Sequence, residues 1–317
     1  MLNLLKSGPE HLLKPLFHLI LPKLFNNQFM RPFSLLPILF TSLCLISIES
    51  IAQNSVGKII LAKGQKIEIN NNTKSVISQE MMGQAIEITV DANMVHQIEV
   101  KDKMPNSYLI ASTLTKLTTN GAAMGQEMKF DSDKKEDMES ETGKLMKDQL
   151  NVTQEIEMSE NAKVIKAAKK STSAVSGGQM MDMINNLTGG NVDESNGAGS
   201  AFEIIPAGKK IGDKWSDSTI MGDIKTYNYY TLKSVNGNIA TLELKGKQII
   251  NKKIEQQGME INVKMEATIS GEGIVDLNTG LLEQKTTLTD GNGSAEVMGQ
   301  SIPMSSKTTT ITTVKKI

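Results

Sequence analysis

Apolar and polar residues alternate with a period of two through most of this chain, and that pattern leaves little choice of fold. In residues 66–70 (KIEIN), Ile67 and Ile69 share one side and Lys66 and Glu68 the other. Residues 85–90 (AIEITV) repeat the pattern with Ile86 and Ile88, and residues 96–100 (HQIEV) with Ile98 and Val100. Successive side chains of a strand point to opposite faces, so each run is a half-buried strand. Many such runs in succession predict antiparallel sheet with one face wet.

Turn signals separate the runs. Asn236-Gly237 joins the alternating stretches 227–235 and 238–245. Asn-Gly is a strong hairpin signal because a type I′ turn needs positive φ at both central residues. Residues 275–284 (VDLNTGLLEQ) hold a second turn, where Asp276 can bond the backbone ahead of it and Gly280 can take positive φ. Residues 289–295 (TDGNGSA) read as a third turn and residues 159–162 as a fourth. The middle of the chain differs. Residues 133–150 are charged and helix-prone despite Gly143, and residues 179–187 are expected as a short helix stopped by Gly189-Gly190. The expected fold is mainly β (α+β), with strongly curved antiparallel meanders in one or two lobes and short helical segments between about 135 and 190. An N-terminal β-rich lobe is expected over 53–175, a Gly/Asn/Ser-rich linker over 176–200 and a C-terminal antiparallel lobe over 201–317. Residues 59–69 (IILAKGQKIEI) resemble 204–215 (IIPAGKKIGDKW), which suggests internal duplication, although any Lys-rich meander imitates such a repeat.

Residues 1–52 belong to another category. From Met30 the chain runs through Arg31, an apolar stretch at 33–48, and small residues at Ser50 and Ala52. That is the layout of a secretory signal, with cleavage expected between Ala52 and Gln53. The stretch is shorter than the ~20 residues that span a bilayer, and it contains Pro37. Export signals open a chain, so Met30 is the expected start; an amphipathic leader helix is the alternative for 1–29. Cys44, the one cysteine, follows Leu43 rather than the small residue that precedes a lipid-attachment cysteine. The mature chain then has no disulfide, thiolate metal site or cysteine nucleophile. The product is expected to be periplasmic, or outer-membrane-associated, in a Gram-negative bacterium, with no transmembrane span.

The formal net charge is −1, and Arg31 is the only arginine. No basic field is present to attract nucleic acid or an anionic membrane, and no guanidinium fork remains to grip a phosphate. Thioethers suit Cu(I), and Met81, Met82 and Met94, or Met180, Met181 and Met183, are the methionines to consider beside His96. Their scatter over apolar strand positions favours packing, with Met replacing scarce aromatics. A calcium loop starting at Asp131 needs Gly at its sixth position and Glu at its twelfth, and finds Glu136 and Thr142. No G-x-S-x-G motif is present, and His96 is the one histidine after the leader. Gly271–Gly273 lacks the third glycine and the helix of a dinucleotide site. No cofactor is expected. The candidate ligand surface is aromatic: Trp215, Tyr227, Tyr229 and Tyr230, with Tyr227 and Tyr229 on one face of their strand and Tyr230 on the other. The alternative for Trp215 is a strand anchor. The triplet Met-Gly-Gln, at 82–84, 124–126 and 298–300, is expected at turns or bulges, where glycine has positional meaning.

The segments KFDSDKKED (129–137), IPAGKKIGDKWSDS (205–218) and GEGIVDLNTGLL (271–282), with the recurrent Met-Gly-Gln, resemble a family of exported Bacteroidota proteins catalogued as domain of unknown function 6263. The resemblance implies no activity and no catalytic residues. The arrangement is also similar to the curved sheets of lipoprotein carriers, a likeness of architecture that carries no function. The expected role is that of a non-catalytic envelope protein, binding a partner or structural. A periplasmic carrier of an apolar ligand or lipid is the first alternative and an enzyme the second.

Overall fold

Long alternating strands in antiparallel pairing account for most of what the computed structural model describes, namely residues 57–81, 84–123, 126–147, 149–166, 197–256, 259–297 and 299–317. The expected leader, the expected helix at 179–187 and most of the expected linker lie outside these residues. The first strands are β1 (Lys66–Met81), β2 (Gln84–Lys103), β3 (Ser107–Ala123) and β4 (Gln126–Asp131). Two short helices follow, α1 (Lys135–Glu139) and α2 (Glu141–Met146), then β5 (Thr153–Ser159) and β6 (Val164–Lys166). The second half holds β7 (Lys214–Met221), β8 (Ile224–Asn236), β9 (Ile239–Gln256), β10 (Met259–Asp276), β11 (Leu282–Val297) and β12 (Gln300–Lys316).

All the strands form one curved antiparallel sheet, in the order β6-β5-β3-β2-β1-β12-β11-β10-β9-β8-β7, with β4 paired to β3. The fold is mainly β. First and last strands meet: β1 and β12 pair from Ile67↔Lys316 to Gln79↔Met304. That ladder joins the strands of 53–175 and of 201–317 into one sheet. The two similar stretches, 59–69 and 204–215, each lead into the first strand of a meander, and the meanders cross the sheet in the same direction.

The inner face carries the core, and the core lies at the end where β1 begins, called proximal here. One cluster holds Ile59, Ile67, Ile69, Ile98, Tyr108 and Phe202, and a second holds Tyr230, Leu232, Leu242, Val275 and Leu282. Segment 57–61 ties them together. The Ile59 amide donates to the Glu160 carbonyl at 2.7 Å, and the next amide, of Ile60, donates to the Thr279 carbonyl at 3.0 Å. The buried Tyr108 hydroxyl donates to the Ile59 carbonyl at 3.2 Å, so the ring's polar tip is satisfied. A third cluster, Leu114, Leu117, Phe130, Met146 and Leu150, packs α2 against β3 and β4. Ser140 starts α2 by accepting the Gly143 amide at 3.1 Å.

Turn chemistry sets the distal end. Met81↔Gln84, Ala123↔Gln126 and Val297↔Gln300 are closing pairs, so the Gln of each Met-Gly-Gln triplet opens a strand, while residues 82–83, 124–125 and 298 lie outside the described residues. Gly299 has φ +80°. At the proximal end Asn236 pairs with Ile239, so the loop residues are Gly237 and Asn238, one position later than Asn-Gly suggests. Gly237 has φ +57° and Asn238 does not share it, the placement of glycine that a type II′ turn asks for. The turn at 275–284 forms as expected: Asp276 accepts the Asn278 amide at 2.9 Å, and Gly280 has φ +70°.

The turn expected at 289–295 is absent. Those residues run through the middle of β11, with Gly291 and Gly293 on the inner face. Their glycines serve close approach. A Cβ at Gly293 would strike the Lys264 carbonyl, one at Gly271 would strike the Thr286 carbonyl, and one at Gly246 would lie 2.7 Å from the Tyr227 carbonyl. Inner-face side chains converge when a sheet curves, and glycine at these positions removes the obstruction. Gly271→Ala is expected to lower stability by about 2–3 kcal/mol through overpacking. Urea unfolding measures this; an unchanged midpoint would show that β10 and β11 do not approach so closely.

Candidate binding face

Directly paired residues share a face, so the register reads the inner face from the proximal core outward. Beside the core lies the first polar feature. Lys285, between Gly273 and Thr312 on neighbouring strands, donates to the Glu203 carboxylate at 2.7 Å. Glu203 is nearly buried, and its own amide donates to the Gly280 carbonyl at 3.0 Å. The ion pair therefore fastens segment 202–206 onto the sheet. The cleft beside it, lined by Lys58, Ile205, Asp276 and Gly280, has room for no more than about one water molecule.

Next comes a band of hydroxyls. Thr287, Thr310 and Thr73 are neighbours across β11, β12 and β1, and Thr119 follows beyond Ala92. One step outward are Thr289, Thr308 and Ser75. Cross-strand bonds tie the band together: Asn71–Thr312 at 2.7 Å, Thr73–Thr310 at 3.2 Å and Ser75–Thr308 at 2.8 Å. Ser75 is 2 % exposed and Thr73 4 %.

Beyond the hydroxyls the inner face turns apolar. Ile77 and Ile88 pair across β1 and β2, with Ile86 one step further. Met304 and Ile302 on β12, and Val263 and Met265 on β10, continue this band, and Ile250 and Ile224 extend it across β9 and β8. Small residues Ala267, Gly291, Gly293 and Ala295 lie between them. Most of these apolar side chains are half-buried, and none belongs to the three core clusters.

The four aromatics named from sequence do not form one surface. Trp215 and Tyr230 pair on the inner face and stack, with ring centroids 5.4 Å apart and planes 12° apart. The Lys209 ammonium sits 6.0 Å from the Trp215 ring centre. Tyr227 and Tyr229 lie on the opposite face, Tyr229 56 % exposed beside Lys245. Burial first, and then the Glu203 and Asp217 carboxylates, push the Tyr230 phenol above its ordinary range. Asp217 keeps exposed surface on edge strand β7, yet loss of water around its carboxyl raises its pKa, while a hydrogen bond from Asn228 pulls the other way. Met81 and Met94 cannot share an ion: the β1–β2 register sets them ten residues apart along β2, about 33 Å. Met82, Met180, Met181 and Met183 lie outside the described residues. His96 is buried at the proximal end, with Gly197 against its ring. The helices are five and six residues long, and among the described residues no helix is long and apolar enough to cross a membrane. The Glu203–Lys285 pair was not legible, because its members are 82 residues apart and neither lies in a motif.

The model of a family of unknown function, DUF6263, matches residues 105–282. The chain belongs to this family. The matched span of this DUF6263 protein runs from β3 to the start of β11 and includes Glu203, Trp215 and Tyr230. No curated protein matches the chain by sequence. Among solved structures, an outer membrane channel from Pseudomonas putida F1 is similar at 8% identity and TM-score 0.26, over 81% of this chain and 98% of that one. The translocator domain of the autotransporter NalP from Neisseria meningitidis is similar at 5% identity and TM-score 0.18, over 80% and 89%. OccK5 (OpdH) of Pseudomonas aeruginosa is similar at 6% identity and TM-score 0.21, over 81% and 99%. Scores this low carry no argument about the DUF6263 chain.

Two outcomes test the polar end of the face. Glu203→Gln leaves the Lys285 ammonium partly buried without its counter-charge and is expected to cost about 1–3 kcal/mol in urea unfolding. A loss under about 0.5 kcal/mol would mean that water replaces the carboxylate fully. For Asp217 the sign runs the other way. A raised carboxyl holds its proton more tightly in the folded state, so its charge costs stability above the ordinary carboxylate range and not below it. Asp217→Asn should therefore raise the melting temperature at pH 7 and leave it unchanged at pH 3.

Proposed function

We propose that this DUF6263 protein is a non-catalytic exported protein of the cell envelope that carries an apolar ligand along the distal inner face of its sheet. Export rests on the leader pattern at 30–52. The carrier reading rests on one observation: a band of half-buried apolar side chains, interrupted by Gln79, Ser306, Gln248 and Lys252, that serves none of the core clusters. Apolar surface of that extent lowers free energy when an apolar partner covers it, by about 0.8 kcal/mol per methylene. Some ten methylenes would contribute about 8 kcal/mol before the costs of association, enough for useful affinity. The nearest approach to a catalytic group is the pair of acids at the Tyr230 hydroxyl, and Glu203 there is committed to Lys285.

Native mass spectrometry of protein purified from its own cells is expected to show an adduct of lipid mass that organic solvent removes. Ile88→Asn should reduce occupancy roughly tenfold, the loss of one buried aliphatic contact. A clean apo mass for the unaltered protein would exclude the reading.

A further inference from the structure

Beyond the hydroxyl band the inner face turns from polar to mainly apolar, and that boundary specifies more than an apolar ligand. Resting on the carrier reading, we propose that the ligand is an amphiphile with an uncharged, hydrogen-bonding head, seated with its head on the Thr/Ser band and its chain along the distal apolar band.

Three observations support this. The first is capacity. A hydroxyl offers one donor and two acceptor sites. Thr73–Thr310 and Ser75–Thr308 each share a single bond, so each pair keeps a donor and several acceptors in hand. The second is Thr119. It is 7 % exposed, on the inner face beside Ala92, and its hydroxyl has no hydrogen-bond partner among the described residues. A buried hydroxyl left unpaired costs free energy, and a polar ligand head supplies the missing partner. The third is charge. From the hydroxyl band to the distal turns, the inner-face positions of β10, β11, β12, β1 and β2 hold no Asp, Glu, Lys or Arg, and the inner-face cation of β9, Lys252, lies beside Val263 at the far end from the hydroxyls. The ammonium nearest the band, Lys285, is engaged by Glu203. A phosphate or carboxylate head would lose its water there and meet no counter-charge, whereas a glycerol, amide or sugar would exchange water for hydroxyls. The distance suits a chain as well: Thr73 to Gln79 along β1 is about 20 Å, the reach of an extended acyl tail.

The test uses the delipidated full chain and two probes with the same tail, monooleoylglycerol and oleate, titrated at pH 8. Monooleoylglycerol should bind at least tenfold more tightly. Thr119→Val should narrow that preference to within about twofold while raising the melting temperature of the apo protein, because it removes a hydroxyl that only the ligand satisfies. Ile88→Asn should weaken both probes alike. Equal binding of the probes, tighter oleate, or a preference untouched by Thr119→Val would overturn the head-group assignment and leave the carrier reading standing. Failure of both probes to bind the unaltered protein would overturn the two together.

Discussion

The pairing of β1 with β12 is the constraint on which the rest depends. It joins the first and last strands at the middle of the sheet, and every inner-face row inherits its register. Backbone bonds alone would tolerate a slip, because a ladder looks alike at every second residue. A one-residue slip would turn Ile67, Ile69 and Val314 outward and expose the core, so burial opposes it. A two-residue slip keeps the faces and is opposed by the side chains: Asn71 with Thr312, Thr73 with Thr310, and Ser75 with Thr308 bond across the ladder only in this register. Each bond contributes about 1 kcal/mol net, and three in series disfavour the shift by several. The hydroxyl band thus sets the alignment that places the apolar band beyond it.

The core clusters and the apolar band are segregated along the strands. The proximal third holds the clusters, the crossing segment 57–61 and the Glu203–Lys285 anchor. The distal half has the Gly299 turn and half-buried isoleucines outside any cluster. An apolar surface that a core does not use lowers the stability of the free protein, and its persistence over several strands needs a compensating use. The outer face is built largely of Lys–Glu, Lys–Asp and threonine positions such as Lys247–Glu266 and Lys307–Asp290, with Val76, Leu288 and Ile311 exposed among them.

The class of fold was legible in the sequence because period-two alternation is local and strong. The hairpin near 236, the Asp276 turn and the turn at Gly299 were legible for the same reason, being decided within four residues. The failures share a cause. TDGNGSA reads as a turn by composition, yet Gly293 answers to the backbone of β10 and Gly291 to the Ala267 side chain there, both more than twenty residues away. The aromatics are close in sequence, yet strand alternation sends Tyr227 and Tyr229 to the wet face and leaves Tyr230 with Trp215. Glu203 with Lys285, and the row Thr287, Thr310, Thr73 and Thr119, depend on which strands become neighbours. Alternation determines which side a residue faces, and pairing order determines its company.

The inner-face glycines show how closely fold and face are coupled. At Gly246, Gly271 and Gly293 a methyl group would meet a carbonyl oxygen of the neighbouring strand, so curvature at those points requires glycine. The same absence of side chains lowers the floor of the face at these positions. A substitution that filled the floor would flatten the sheet, and one that flattened the sheet would spread the apolar band apart. Shape and contact surface therefore cannot be varied independently in this sheet, and sequence drift at the glycines is limited by packing even where no ligand touches them.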